Sequence, residues 1–141
     1  MAPVRSPFLR RAFLWLPPLA YAALIFYLSS RTDPMPALTR LVWDKALHAT
    51  EYAGLAVLLC RAWRGEGGSW LAACAFAWMV VCAYALSDEW HQAFVPGRQS
   101  DLHDWLADAT GGPIGVVFYW FRESRPGRRA PVGEPTGYEH G

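Results

Sequence analysis

Charge is what this chain has least of. Asp, Glu, Lys and Arg make up only 18% of its 141 residues, while 53% are hydrophobic and eight are Trp. A soluble domain of this size carries more charge and shorter apolar runs, and the length leaves room for one compact unit. Cysteine is scarce as well. Cys60, Cys74 and Cys82 are odd in number, lack CxxC spacing and lie within or beside apolar runs. That excludes a disulfide framework and leaves small buried apolar side chains as their role. A recognisable metal motif is also missing, because His48-x-x-Glu51 is not HExxH. Neither Ser nor Cys stands in an obvious nucleophile setting, Ser87 being the nearest candidate. The sequence identifies no cofactor, no oligomeric state and no nucleic-acid partner.

What the chain does have is four long apolar stretches, at residues 12–29, 45–63, 70–90 and 102–121. Each approaches the roughly 20 residues, range about 17–25, that a membrane-crossing helix needs. Trp15, Trp43, Trp63, Trp70, Trp90 and Trp120 lie near their ends, as in an interfacial aromatic belt. Strands of a membrane barrel would be shorter and alternating. The expected fold is therefore all-α: a polytopic membrane protein with four transmembrane helices in a compact bundle. A basic N-terminus (1–11) precedes the membrane domain (12–121), and a basic, Pro- and Gly-rich tail (122–141), expected to be disordered, follows it. The N-terminus also has the basic-then-apolar pattern of a signal peptide, but its apolar run is long for one and reads as the first span.

Arg5, Arg10 and Arg11 precede the first stretch, Arg61 and Arg64 follow the second, and Arg122, Arg125, Arg128 and Arg129 follow the fourth. The positive-inside rule then puts both termini in the cytoplasm of a plasma or inner membrane protein. Pro17 and Pro18 should either start the first helix or kink it.

The ionisable residues cluster at the opposite ends. Asp44, Lys45, His48, Glu51 and Tyr52 open the second stretch; Asp88, Glu89, His91 and Gln92 close the third; Asp101, Asp104 and Asp108 open the fourth. Charges inside a span cost about 2.5–3.5 kcal/mol each at the helix centre on insertion scales, so a clustered set marks a site. Asp44 and Ser100 suit helix N-caps, and Val95-Pro96-Gly97-Arg98 has the Pro and Gly of a type II turn. Asp101, Asp104, Asp108, Gly111 and Gly115 fall on one helical face by their gaps of three and four. The two glycines form a small-xxx-small packing step below the carboxylates.

These residues resemble the motifs of the VanZ-like family. The first block is Asp44-Lys45-x-x-His48-x-x-x-Tyr52-x-x-Leu55, and the second is Ser87-Asp88-Glu89-Trp90-His91-Gln92-Ala93-Phe94-Val95-Pro96-Gly97-Arg98. The third comprises Asp104, Asp108, Gly111 and Gly115, with Asp108 where the family commonly has Asn. The carboxylate there calls for protonation or for a partner among Lys45, His48 and Arg98. The resemblance implies a cell-envelope protein, similar to accessory proteins that raise teicoplanin resistance without remaking the peptidoglycan precursor.

Two functional readings follow. In the first, the cluster is an outward pocket that binds a lipid-linked envelope precursor, a lipid headgroup or a lipoglycopeptide, through Lys45, Gln92, Arg98 and Asp108. In the second, it is a membrane-embedded hydrolase or transferase. His48 or His91 would then act as a general base beside Glu51, Asp88, Glu89 or Asp104. A metal-dependent version would use His48, His91 and Asp104 as ligands.

Overall fold

The computed structural model describes residues 6–31, 44–98 and 101–125, with the backbone alone at Asp44. The expected loop around Asp33 to Pro36, the cap formed by the Asp44 side chain, Ser100 and the tail beyond 125 lie outside the described residues. Four helices account for the fold: α1 (Pro7–Ser29), α2 (Asp44–Gly65), α3 (Trp70–Gln92) and α4 (Leu102–Glu123). There is no strand among the described residues. Each helix has 22 or 23 residues, and is therefore about 33–35 Å long. The expectation of four spans is met in part, since α1 and α3 alone are long and apolar enough to cross a membrane. The other two carry the ionisable residues that lower their hydropathy.

Helix α1 begins earlier than the prolines led one to expect. Ser6 caps it, accepting from the Leu9 amide at 3.2 Å, with Pro7 in the first position, where a missing N–H costs nothing. The helix then continues through Pro17 and Pro18. Pro17 cannot donate to the carbonyl of Phe13, one turn back. Arg61 of α2 reaches that carbonyl at 3.5 Å and lies over the Phe13 ring, 4.7 Å from its centroid. A neighbouring helix thus covers the group that the proline leaves open. The cap of α4 also differs from expectation: it is Asp101, accepting from the His103 amide at 2.9 Å. The turn after α3 forms as the sequence indicates, with Arg98 N donating to Val95 O at 3.1 Å and Gly97 at φ 82°.

Helices α2 and α4 make the most extensive contact in the molecule. They run parallel in constant register, because Lys45 meets Asp104, His48 meets Asp108 and Arg64 meets Glu123, at separations of 59 or 60 residues. The glycines set the distance between them. A Cβ on Gly111 would come within 2.5 Å of Ala49 O and 2.8 Å of Ala53 N, and one on Gly115 within 2.2 Å of Ala53 O. Only a bare backbone fits at either position.

Helix α3 lies antiparallel against this pair and buries a stripe of every fourth residue: Ala73, Ala77, Val81 and Ala85, all at 0% exposure. The stripe continues into Asp88 and Gln92, which are buried too. Small side chains thus fill the interior, together with Tyr52, Leu55, Leu59 and Cys60 of α2. Large apolar side chains face outward instead, among them Phe13, Leu19, Leu71, Trp78, Met79, Ile114 and Phe118. A small-residue interior under a large apolar exterior inverts the pattern of a water-soluble bundle and matches helices packed within lipid.

The connectivity separates two ends. At the basic end, Arg10 bonds to the Gly65 carbonyl, Trp15 donates to Glu66 at 3.2 Å, and Arg64 donates to Glu123 at 3.0 Å. At the acidic end, α1, α2, α3 and α4 bring together the clusters singled out in the sequence.

Candidate functional site

The acidic end is built from the first turns of α2 and α4 and the last turns of α3. Lys45 forms an ion pair with Asp104 and lies 3.5 Å from Asp101. One turn deeper, His48 Nδ1 sits 2.9 Å from Asp108 Oδ1, with the Asp108 side chain fully buried. Of the three partners considered for Asp108, the helix register selects His48.

From α3, Glu89 accepts the backbone N–H of Asp101 at 2.9 Å and so ties the end of α3 to the start of α4. Asp88 accepts from the Gln92 amide at 3.1 Å, an i,i+4 bond on the buried face. Asp88, Glu89 and Gln92 are no more than 4% exposed. Beneath them lies Tyr52, 1% exposed, whose hydroxyl is directed at the Asp88 carboxylate and also lies in the field of Asp108.

The arrangement leaves buried polar atoms unsatisfied. Asp88 Oδ1, Glu89 Oε1 and Asp108 Oδ2 have no well-formed hydrogen bond among the described residues, and neither has Arg98 Nε. Most buried polar groups in folded proteins are paired, so a local concentration of exceptions calls for a reason. Carboxylates dominate here, and Lys45 is committed to two of them. The remaining capacity is chiefly for accepting hydrogen bonds.

The family model VanZ/LLP1 matches residues 7–123, which includes all four helices. The chain belongs to the VanZ/LLP1 family. No curated protein and no solved structure gives a significant match. Family membership and the two apolar helices make this a VanZ-like membrane protein. The three sequence blocks that carry the resemblance converge in space. His48 of the first meets Asp108 of the third, and the cap of the helix that carries the third, Asp101, bonds to Glu89 of the second.

Not every candidate joins this centre. His91 faces α1, where it stacks on Phe26 with centroids 4.5 Å apart and shares a hydrogen bond with Ser30 Oγ at 3.1 Å. Glu51 is half-buried on the side of α2 where its charge reaches Tyr21 of α1. Arg98 is half-buried beside the cluster and forms no ion pair among the described residues. His48, His91 and Asp104, the suggested metal ligands, each turn to a different partner. No group of three His, Cys, Asp or Glu able to hold a metal occurs among the described residues.

Two contributors were not among the sequence-derived site residues. Tyr52 was visible as the i+4 neighbour of His48, which places both on the face toward α4. Asp101 was visible as the head of the α4 stripe, and it links Lys45, Glu89 and His103. It is also the one carboxylate of this end that lies outside the helices among the described residues. Its carboxyl is held down to about 2, chiefly by the backbone N–H of His103 and then by the imidazole of the same residue.

Proposed function

We propose that this VanZ/LLP1 protein crosses the cell membrane four times, with both termini in the cytoplasm and the acidic end toward the envelope. There the α2–α3–α4 cluster binds an amphiphilic envelope ligand, a lipid-linked precursor or a lipoglycopeptide, and lowers susceptibility to teicoplanin. The ion pairing of α2 with α4 supports the spanning arrangement, because the charged faces of the two less apolar helices turn toward each other instead of toward lipid. The Arg residues of the basic end support the orientation.

One observation carries the binding reading: three buried carboxylate oxygens, on Asp88, Glu89 and Asp108, converge without a well-formed hydrogen bond among the described residues. Leaving such a group unmet costs about 1–3 kcal/mol, so a ligand offering N–H groups or an ammonium gains by satisfying them. This changes the chemistry first expected of the site. Lys45 is neutralised by Asp104 and Asp101, so the cluster suits a donor-rich group better than an anion.

The test is teicoplanin susceptibility of a Gram-positive host expressing wild type, Asp88→Asn or Tyr52→Phe at equal membrane levels. Wild type should protect, and the variants should not. An unprotected host at matched expression removes the resistance reading, and full protection by both variants removes the cluster from it.

The His48–Asp108 pair favours a second reading, an enzyme acting on a lipid-linked substrate. A carboxylate 2.9 Å from an imidazole nitrogen is the arrangement that orients a general base. In that case Asp108→Asn would abolish function while the protein still binds its ligand, whereas a binding role predicts a parallel loss of both.

A further inference from the structure

The basic end holds a cavity unrelated to the acidic cluster. It has a volume of about 720 Å³, and Arg61, Arg64, Trp70, Trp120, Arg122 and Ser124 are among its walls. A second, apolar groove of about 500 Å³ runs along α2 between α1 and α4, past Tyr21, Ala53, Gly54, Ile114 and Phe118. The two share Val57 and Leu58 in their walls and therefore adjoin along α2, outlining a channel. The groove follows α2 from Thr50 to Leu58, about 12 Å of helix axis. Small side chains make it deep, and α1 and α4, which scarcely touch each other, leave it open at the side.

We infer that this channel binds one anionic glycerophospholipid, with the phosphate among Arg61, Arg64 and Arg122 and an acyl chain lying in the groove against Ala53, Gly54 and Phe118. Charge complementarity selects this occupant. Among the described residues Glu123 is the single acid lining the cavity, and it is taken up by Arg64 at 3.0 Å. Arg61 is held by the ring and carbonyl of Phe13, contacts that position its guanidinium without cancelling its charge. Arg122 is exposed and forms no ion pair among the described residues. Arginine forks match phosphate oxygens, and basic pockets between helices at the cytoplasmic surface are suited to phospholipid headgroups. Trp70, stacked on Tyr119 at 6.0 Å, and Trp120 bring amphipathic rings to the same level, where a headgroup meets its chains. The inference rests on the membrane-embedded reading of the fold, but not on what the acidic end binds.

Native mass spectrometry of the full chain, released from nanodiscs of equal phosphatidylglycerol and phosphatidylcholine, tests it. Wild type should retain one phosphatidylglycerol in preference to phosphatidylcholine. Arg122→Gln, a change at an exposed side chain, should weaken that preference about fivefold. Val57→Phe, at the junction of cavity and groove, should reduce retention of the lipid, with helicity unchanged by circular dichroism. Asp88→Asn should retain the lipid as wild type does, which separates this site from the acidic one. Equal retention of both lipids, unaltered retention by both basic-end variants, or failure to enter nanodiscs would overturn the assignment. So would displacement by inorganic phosphate, which would make it a site for the free anion.

Discussion

The α2–α4 pair carries an ion pair at each end, and the two differ in almost everything except sequence separation. Arg64 and Glu123 meet at 3.0 Å with about a third of each side chain exposed. His48 and Asp108 meet at 2.9 Å, with 12% of one and none of the other accessible. Water near the first pair screens it and offers substitutes if it breaks. The second pair has no such reserve, because Asp88 and Glu89 set further unmet carboxylate oxygens near it. Equal geometry therefore conceals unequal consequences. The basic end is a loosely held charged surface, while the acidic end has a buried polar floor whose state depends on each member.

Removing one partner at each end should expose that inequality most strongly. His48→Ala leaves the buried Asp108 without its imidazole partner, and an unmet buried polar group costs about 1–3 kcal/mol, more if it is charged. Arg64→Ala should cost no more than about 1 kcal/mol, as for exposed pairs. Thermal unfolding of both variants in the same detergent measures the contrast, and equal losses would mean that the acidic end is open to water. Asp108→Asn sharpens the result: a neutral amide can still bond to His48, so its loss should be well below that of His48→Ala.

The seam between the two ends should rank next. Gly115→Ala places a methyl within 2.2 Å of the Ala53 carbonyl and 2.8 Å of the Ala56 Cβ. Overpacking of this kind typically costs about 1–3 kcal/mol. Because the helices must move apart, the variant should weaken both ends at once, lowering thermal stability and loosening the Arg64–Glu123 contact together. A shift confined to one end would show that the register is set by the ion pairs and not by the glycines.

Much of this was legible beforehand, for a physical reason. Periodicity reports which residues share a face, so the stripe from Asp101 through Gly115 identified the contact face of α4 before any partner was known. The helices of the two strongly apolar segments were equally plain, because hydropathy is a local property. Partner choice was not, since Asp108 had three plausible cations and only the constant register of α2 on α4 picks His48. His91 misled for the same reason: its place in a polar block says nothing of direction, and it faces α1 by stacking on Phe26. Of the two roles open to the prolines of α1, starting the helix is excluded, and the partner for the open Phe13 carbonyl, Arg61, comes from 48 residues away, beyond the reach of local pattern. The basic-end channel was illegible altogether, as it is defined by what α1 and α4 leave uncovered.

The smallest expected effect lies at the mouth of the acidic end. Asp101 caps α4 and is held near 2 by the His103 amide first and its imidazole second. A depressed carboxylate contributes stability that is complete above its ordinary value of 3.8 and is lost as pH falls through the folded value. Asp101 therefore stays charged, and available to Lys45, throughout the physiological range. His103→Ala removes the imidazole and keeps the amide, so the Asp101 midpoint, followed by carboxyl carbon NMR, should rise only part of the way toward 3.8. A full return would mean that the side chain and not the helix terminus sets the charge at the mouth. An unchanged midpoint would mean that the amide alone is enough, and that the acidic end is held open to its ligand by backbone geometry.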